Sequence, residues 1–106
     1  MKTKVDTQEF NFHISHHLQR QLAQLQNAGL SMSAIARLAI RKCSALTLDP
    51  DDEPACPKRV QLYLHAEDAR LLEQLAAHEG DSRARTLRRL IATYLRLNAT
   101  AIADLF

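Results

Sequence analysis

EFNFHI at residues 9–14 and RVQLYL at residues 59–64 decide the fold. Each alternates polar and apolar side chains. Phe10, Phe12 and Ile14 therefore share one face of an extended segment, and Val60, Leu62 and Leu64 share the equivalent face of another, the two-residue period of a half-buried strand. The match continues outward at an offset of 50, where Arg20, Leu22, Gln24 and Leu25 meet Arg70, Leu72, Gln74 and Leu75. One extra residue in the second half shifts the offset to 51, and Gly29, Ser31, Arg37 and Ile40 then meet Gly80, Ser82, Arg88 and Ile91. The chain reads as a duplicated unit of about 40 residues.

Each unit predicts a strand followed by two helices. Ser15 is a suitable N-cap for the first helix, whereas His65 at the matching place is a poorer cap by type. Leu18, Leu22 and Leu25, and in the second half Leu72, Leu75 and Ala76, have the spacing of an amphipathic helix that ends at its glycine. The second helix begins at Ser31 or Ser33, and at Ser82. Its apolar stripe is Ile35, Leu38, Ala39 and Ile40 in one half, and Leu87, Leu90, Ile91, Tyr94 and Leu95 in the other.

Between the halves lies LTLDPDDEPACPK, which holds all three prolines and no helical period. The expected organisation is a first repeat at 1–46, an acidic proline-containing linker at 47–58, a second repeat at 59–97 and a tail at 98–106. A lone strand cannot satisfy its own backbone, and a unit of this size does not hold a core alone. The linker can span up to about 40 Å, enough to return the chain so that the strands pair antiparallel. The expected fold is one compact unit, mostly α with a two-stranded antiparallel ribbon, whose second face is left free.

Composition narrows the function. The 106 residues are 46% hydrophobic and 25% charged, the balance of one ordinary domain. No apolar run approaches the roughly 20 residues of a membrane span, and MKTKVDTQEF is not a secretion signal; the expectation is a cytoplasmic protein with no membrane partner. The net charge is only +2, but residues 1–46 carry six Lys/Arg against two acids, residues 47–58 one against four, and residues 59–106 seven against six. An acidic spacer separates two basic lobes. Cys43 and Cys56 have no CxxC spacing and read as reduced thiols. The absence of Trp and the 5% aromatic content argue against a single-strand binder built on stacked aromatics. His13 falls on the strand while His16 and His17 point apart on a helix, so no metal site is expected. With no G-x-S-x-G, P-loop or HExxH, neither an enzyme nor a cofactor is expected.

The turn and second helix GLSMSAIARLAI, Gly29 to Ile40, with its looser copy GDSRARTLRRLI, Gly80 to Ile91, resembles the ribbon-helix-helix family of DNA-binding proteins, the Arc, MetJ and CopG type, over about 80 of the 106 residues. Members usually pair two chains. Here both copies lie in one chain, a tandem ribbon-helix-helix forming an intramolecular pseudo-dimer, similar to TraY-type conjugation accessory proteins.

The resemblance implies double-stranded DNA as partner, with the ribbon in the major groove. The outward side chains Asn11, His13, Arg59, Gln61 and Tyr63 would then meet base edges. Asn and Gln suit adenine N6 and N7, and Arg suits guanine O6 and N7. Glu9 departs from the family's basic or polar residue, so the first strand is expected to read fewer bases than the second. Ser31, Ser33, Ser82, Arg83 and Arg85, at the starts of the second helices, would hold phosphates through backbone N–H groups, the helix dipole and added charge. The role implied is a transcriptional regulator such as a repressor, or a plasmid or conjugative-transfer accessory in a relaxosome with a relaxase or other protein partner. Self-association on adjacent sites is compatible with either. The rival reading is a protein-interaction module that has lost DNA binding.

Overall fold

The computed structural model describes residues 7–51 and 55–103. Their order is β1 (Thr7–Ser15), α1 (His16–Asn27), α2 (Met32–Cys43), β2 (Ala55–His65), α3 (Ala66–Glu79), α4 (Arg83–Leu97) and the short α5 (Ala99–Ala103). β1 and β2 form a two-stranded antiparallel sheet within the chain. In its register Phe10 faces Leu62 and Phe12 faces Val60, while the alternate pairs are Glu9 with Tyr63, Asn11 with Gln61 and His13 with Arg59. The alternation in the sequence thus becomes two chemically distinct faces.

The apolar face supplies Phe12, Ile14, Val60, Leu62 and Leu64 to one core, which Leu22, Leu25, Ile35, Ile40, Leu72, Leu87, Leu90 and Ile91 complete from the helices. Each fully buried Leu or Ile contributes about 1.5–3 kcal/mol. α2 and α4 make the main helix–helix contact, and each first helix touches both strands. The core therefore belongs to neither half alone.

Local chemistry ends the helices as the sequence leads one to expect. The Ser15, Ser31 and Ser82 hydroxyls cap α1, α2 and α4, accepting from Leu18, Ala34 and Arg85 N–H, each at 3.1 Å. His65 precedes α3 with no side-chain cap bond, and Glu67 and Asp68 in the first turn complement the dipole there. α1 and α3 close alike: Leu30 N–H donates to Leu25 O, and Asp81 N–H to Ala76 O, both at 3.0 Å. Gly80 takes the left-handed φ of 69° that this ending requires.

One expected boundary shifts, and two expected segments gain structure. Strand β2 begins at Ala55, inside the stretch read as linker at 47–58. A register irregularity between His13 and Ser15 sets residues 56–58 opposite Ile14 alone, and such a bulge tolerates a proline within the strand. The tail read at 98–106 contains the helix Ala99–Ala103.

The first part of the linker packs against α4. Leu48 is buried, Asp49 N–H donates to the Thr93 hydroxyl at 2.8 Å, Arg89 Nε donates to Asp49 O at 3.0 Å, and the Asp49 carboxylate takes a two-pronged bond from Arg96. Asp51 pairs with Arg88 at 2.9 Å. The acids and the arginines of α4 lie far apart in sequence, and folding brings them together.

Candidate nucleic-acid interface

Glu9, Asn11, His13, Arg59, Gln61 and Tyr63 are all exposed on the face of the ribbon away from the core. The backbone of Tyr63 tells how they stand. Its N–H donates to Ser33 Oγ at 2.8 Å and its carbonyl accepts from Arg37 Nη1 at 3.2 Å; both groups belong to α2, so both point away from β1. Glu9 and Tyr63 are therefore a non-hydrogen-bonded pair, and by alternation so are Asn11 with Gln61 and His13 with Arg59, which brings facing Cα atoms to about 4.5 Å. Three close pairs follow one another at about 7 Å.

The edges of the ribbon are held by the second helices. Arg88 Nη1 of α4 donates to the carbonyl of His13 in β1 at 3.0 Å, as Arg37 of α2 does to Tyr63 in β2. Each arginine thus grips the strand of the other half. Both positions carried a signal, since Arg37 and Arg88 match in sequence, but an arginine on a mostly apolar helix gives no hint of which carbonyl it seeks. The clamps differ in one respect: Arg88 also binds Asp51.

Clefts beside the ribbon contain the helix starts. Glu9, Phe10 and Asn11 share a cleft of about 420 Å³ with Leu72, Ser82 and Arg83, and on the opposite side Arg59, Val60 and Gln61 share one of about 250 Å³ with Leu22 and Met32. Ser31 and Ser82 are exposed and cap their helices. Arg83 and Arg85 are exposed at the start of α4; the Arg83 guanidinium lies 5.7 Å from the centre of the Phe10 ring, and Arg85 lies 3.7 Å from Asp81. The Ser33 hydroxyl accepts from the Tyr63 N–H, which leaves its own O–H as a donor. A free strand edge needs its N–H satisfied, and this serine lies within reach.

Two contacts were not read from the sequence. Asn11 Nδ2 donates to Glu9 Oε1 at 2.9 Å across the outward face. Asp68, 1% exposed, receives Nε and Nη2 of Arg41 at 2.8 and 3.0 Å. Hydrogen bonding to these carboxylates raises the pKa of Arg41, through Asp68, and of Arg96, through Asp49. Pairing takes up much of the basic charge of α4: Arg89 binds both Glu79 and Asp81, and among the described residues Arg59, Arg83 and Arg85 are exposed cations at the ribbon and the start of α4.

Among the described residues no group of three or more His, Cys, Asp or Glu is arranged to hold a metal, and no helix is long and apolar enough to cross a membrane. Cys43 is a free buried thiol; the Cys56 side chain lies outside the described residues.

Residues 58–97, from β2 through α4, match the model of the ribbon-helix-helix proteins of the copG family, a family of DNA-binding regulators. The stretch Gly29 to Ile40 lies outside that match. No curated protein and no solved structure matches the chain.

Proposed function

We propose that the protein binds double-stranded DNA sequence-specifically, with the β1–β2 ribbon in the major groove and the starts of α2 and α4 against the flanking phosphates. The observation that carries this reading is the intrachain ribbon itself, which presents three close pairs of exposed polar side chains with a capped helix start on either side. A two-stranded ribbon fits the major groove, and helix N-termini favour phosphate. Asn11, His13, Arg59, Gln61 and Tyr63 are the base-reading residues in this account. Ser31, Ser33 and Ser82 with their helix starts, together with Arg83 and Arg85, hold the backbone.

Within the same reading the chain is a tandem pair of ribbon-helix-helix units forming a pseudo-dimer. Support comes from the sequence offsets, the like closures of α1 and α3, the like caps of α2 and α4, and the reciprocal grips of Arg37 and Arg88. The biological role is a transcriptional regulator or a plasmid or conjugative-transfer accessory, the latter with a relaxase as protein partner.

Binding of the full chain to short duplexes across a salt series tests the proposal. Affinity should fall steeply with salt, and Arg59→Ala should cost about 1–3 kcal/mol on the preferred site and little on random duplex. Equal loss on both makes Arg59 a phosphate contact. The absence of salt-dependent duplex binding returns the protein to the interaction-module reading.

A further inference from the structure

Resting on the DNA-binding reading, we propose that the ribbon is chemically polarised along its length and selects a non-palindromic site: Glu9 specifies a base amino group, a cytosine N4, at one end, and Arg59 specifies a guanine at the other. Along the outward face the register runs Thr7 with His65, Glu9 with Tyr63, Asn11 with Gln61 and His13 with Arg59, so that Glu9 and Arg59 lie on opposite sides of the central amide pair. A carboxylate only accepts hydrogen bonds and a guanidinium only donates. His13 adds an N–H donor in either protonation state. One side of that pair therefore matches base amino groups and the other matches guanine O6 and N7. Four residues separate Glu9 from His13, about 13 Å along a strand and about four base-pair steps.

The Glu9–Asn11 hydrogen bond makes the acid a reader rather than a misplaced charge. Because the carboxylate must accept, the Asn11 amide is held with Nδ2 toward Glu9, which removes its freedom to flip. Glu9 keeps lone pairs for a base, and Asn11 keeps Oδ1 and a second N–H. The start of α4 shares the cleft with Glu9, and Arg83 stands there as the cation that offsets the acid near phosphate. At the opposite cleft the residue in that position is Met32, beside Arg59, which needs no offset. The anion and its offsetting cation thus lie on one side of the ribbon, and Arg59 on the other.

The test is selection of duplexes from a randomised pool by the full chain and by its Glu9→Gln variant. Affinity is then measured for the preferred duplex carrying either 2-pyrimidinone in place of the chosen cytosine, which lacks the amino group, or 7-deazaguanine in place of the guanine. Glu9 is exposed and contributes nothing to the core, so the variant keeps its fold, checked by circular dichroism. The wild type should recover an asymmetric site and lose about tenfold or more for each modified base. Glu9→Gln should bind random duplex more tightly, having lost a negative charge, while losing discrimination at the cytosine end alone and keeping sensitivity to 7-deazaguanine. A palindromic site, or a Glu9→Gln profile that changes nowhere or at both ends equally, overturns the polarity while DNA binding stands. No duplex retained at any salt overturns the DNA-binding reading and this inference with it.

Discussion

Asn11 of β1 faces Gln61 of β2, its own counterpart at the sequence offset of 50. In an antiparallel pair of matched strands one position meets its own match, and that position lies on the axis relating them. Here it is occupied by two side-chain amides of different length, flanked by Glu9 with Tyr63 on one side and His13 with Arg59 on the other. Every one of these outward pairs joins unlike side chains, and the register irregularity between His13 and Ser15 falls beyond the His13–Arg59 pair.

The carbonyl clamps should set stability unequally. Arg88→Ala removes the bond to His13 O and leaves Asp51 unpaired, whereas Arg37→Ala removes only the bond to Tyr63 O. Urea unfolding should show a loss of about 1–3 kcal/mol for Arg88→Ala and a smaller one for Arg37→Ala. Equal losses would mean that the linker acid adds nothing.

Asp68 and Arg41 give a second comparison. The corresponding places in the other lobe are Leu18 and Ala92, which line a common cleft. Arg41→Ala leaves a buried carboxylate without its partner, while Asp68→Ala leaves a half-exposed guanidinium that water can solvate. The first should lower the thermal midpoint more. The double variant Asp68→Leu, Arg41→Ala reproduces the apolar pair and should recover most of the loss; a double variant less stable than either single one contradicts this account.

At the helix start, Arg83→Ala should reduce the salt dependence of duplex binding by about one unit in the log–log slope, equally on preferred and random sequence. Arg85→Ala should reduce it less, because Asp81 already neutralises part of its charge. A loss confined to one sequence would make Arg83 a base contact.

Burial pushes the Cys43 thiol pKa up, and the nearby Asp49 charge adds to it. The unfolded chain releases this proton near pH 8.5 while the folded one retains it. The resulting contribution is therefore complete below that pH and is lost as pH rises toward the folded value. Urea unfolding under reducing conditions at pH 7.5 and 9.5 should show a steeper alkaline loss in the wild type than in Cys43→Ala. Parallel losses would assign the slope to other groups.

Cleavage between residues 51 and 55 should leave two pieces that reassociate one to one, since strand pairing and the shared core lie outside the cut. Each piece alone lacks a strand partner and should be largely unfolded or self-paired. Sedimentation of the intact chain should give a monomer; an obligate dimer whose strands pair between chains would refute the single-chain ribbon.

The sequence alone marked both strands and the four longer helices, though not α5 or the start of β2. Strict alternation in EFNFHI and RVQLYL can bury one face only as strands, Ser15, Ser31 and Ser82 begin helices because their hydroxyls satisfy free N–H groups, and the two glycines sit where α1 and α3 end. Local periodicity and local capping are short-range physics, and a sequence displays them directly. Tertiary structure decided what reaches across the chain. Arg37 and Arg88 found backbone carbonyls 26 and 75 residues away, the Ser33 hydroxyl came to accept from the Tyr63 N–H, and Asp49 and Asp51 closed on the arginines of α4. A side chain's charge can be read from its letter. Its partner depends on which unsatisfied donor or acceptor folding brings within 3 Å, and that distance is a property of the packed core.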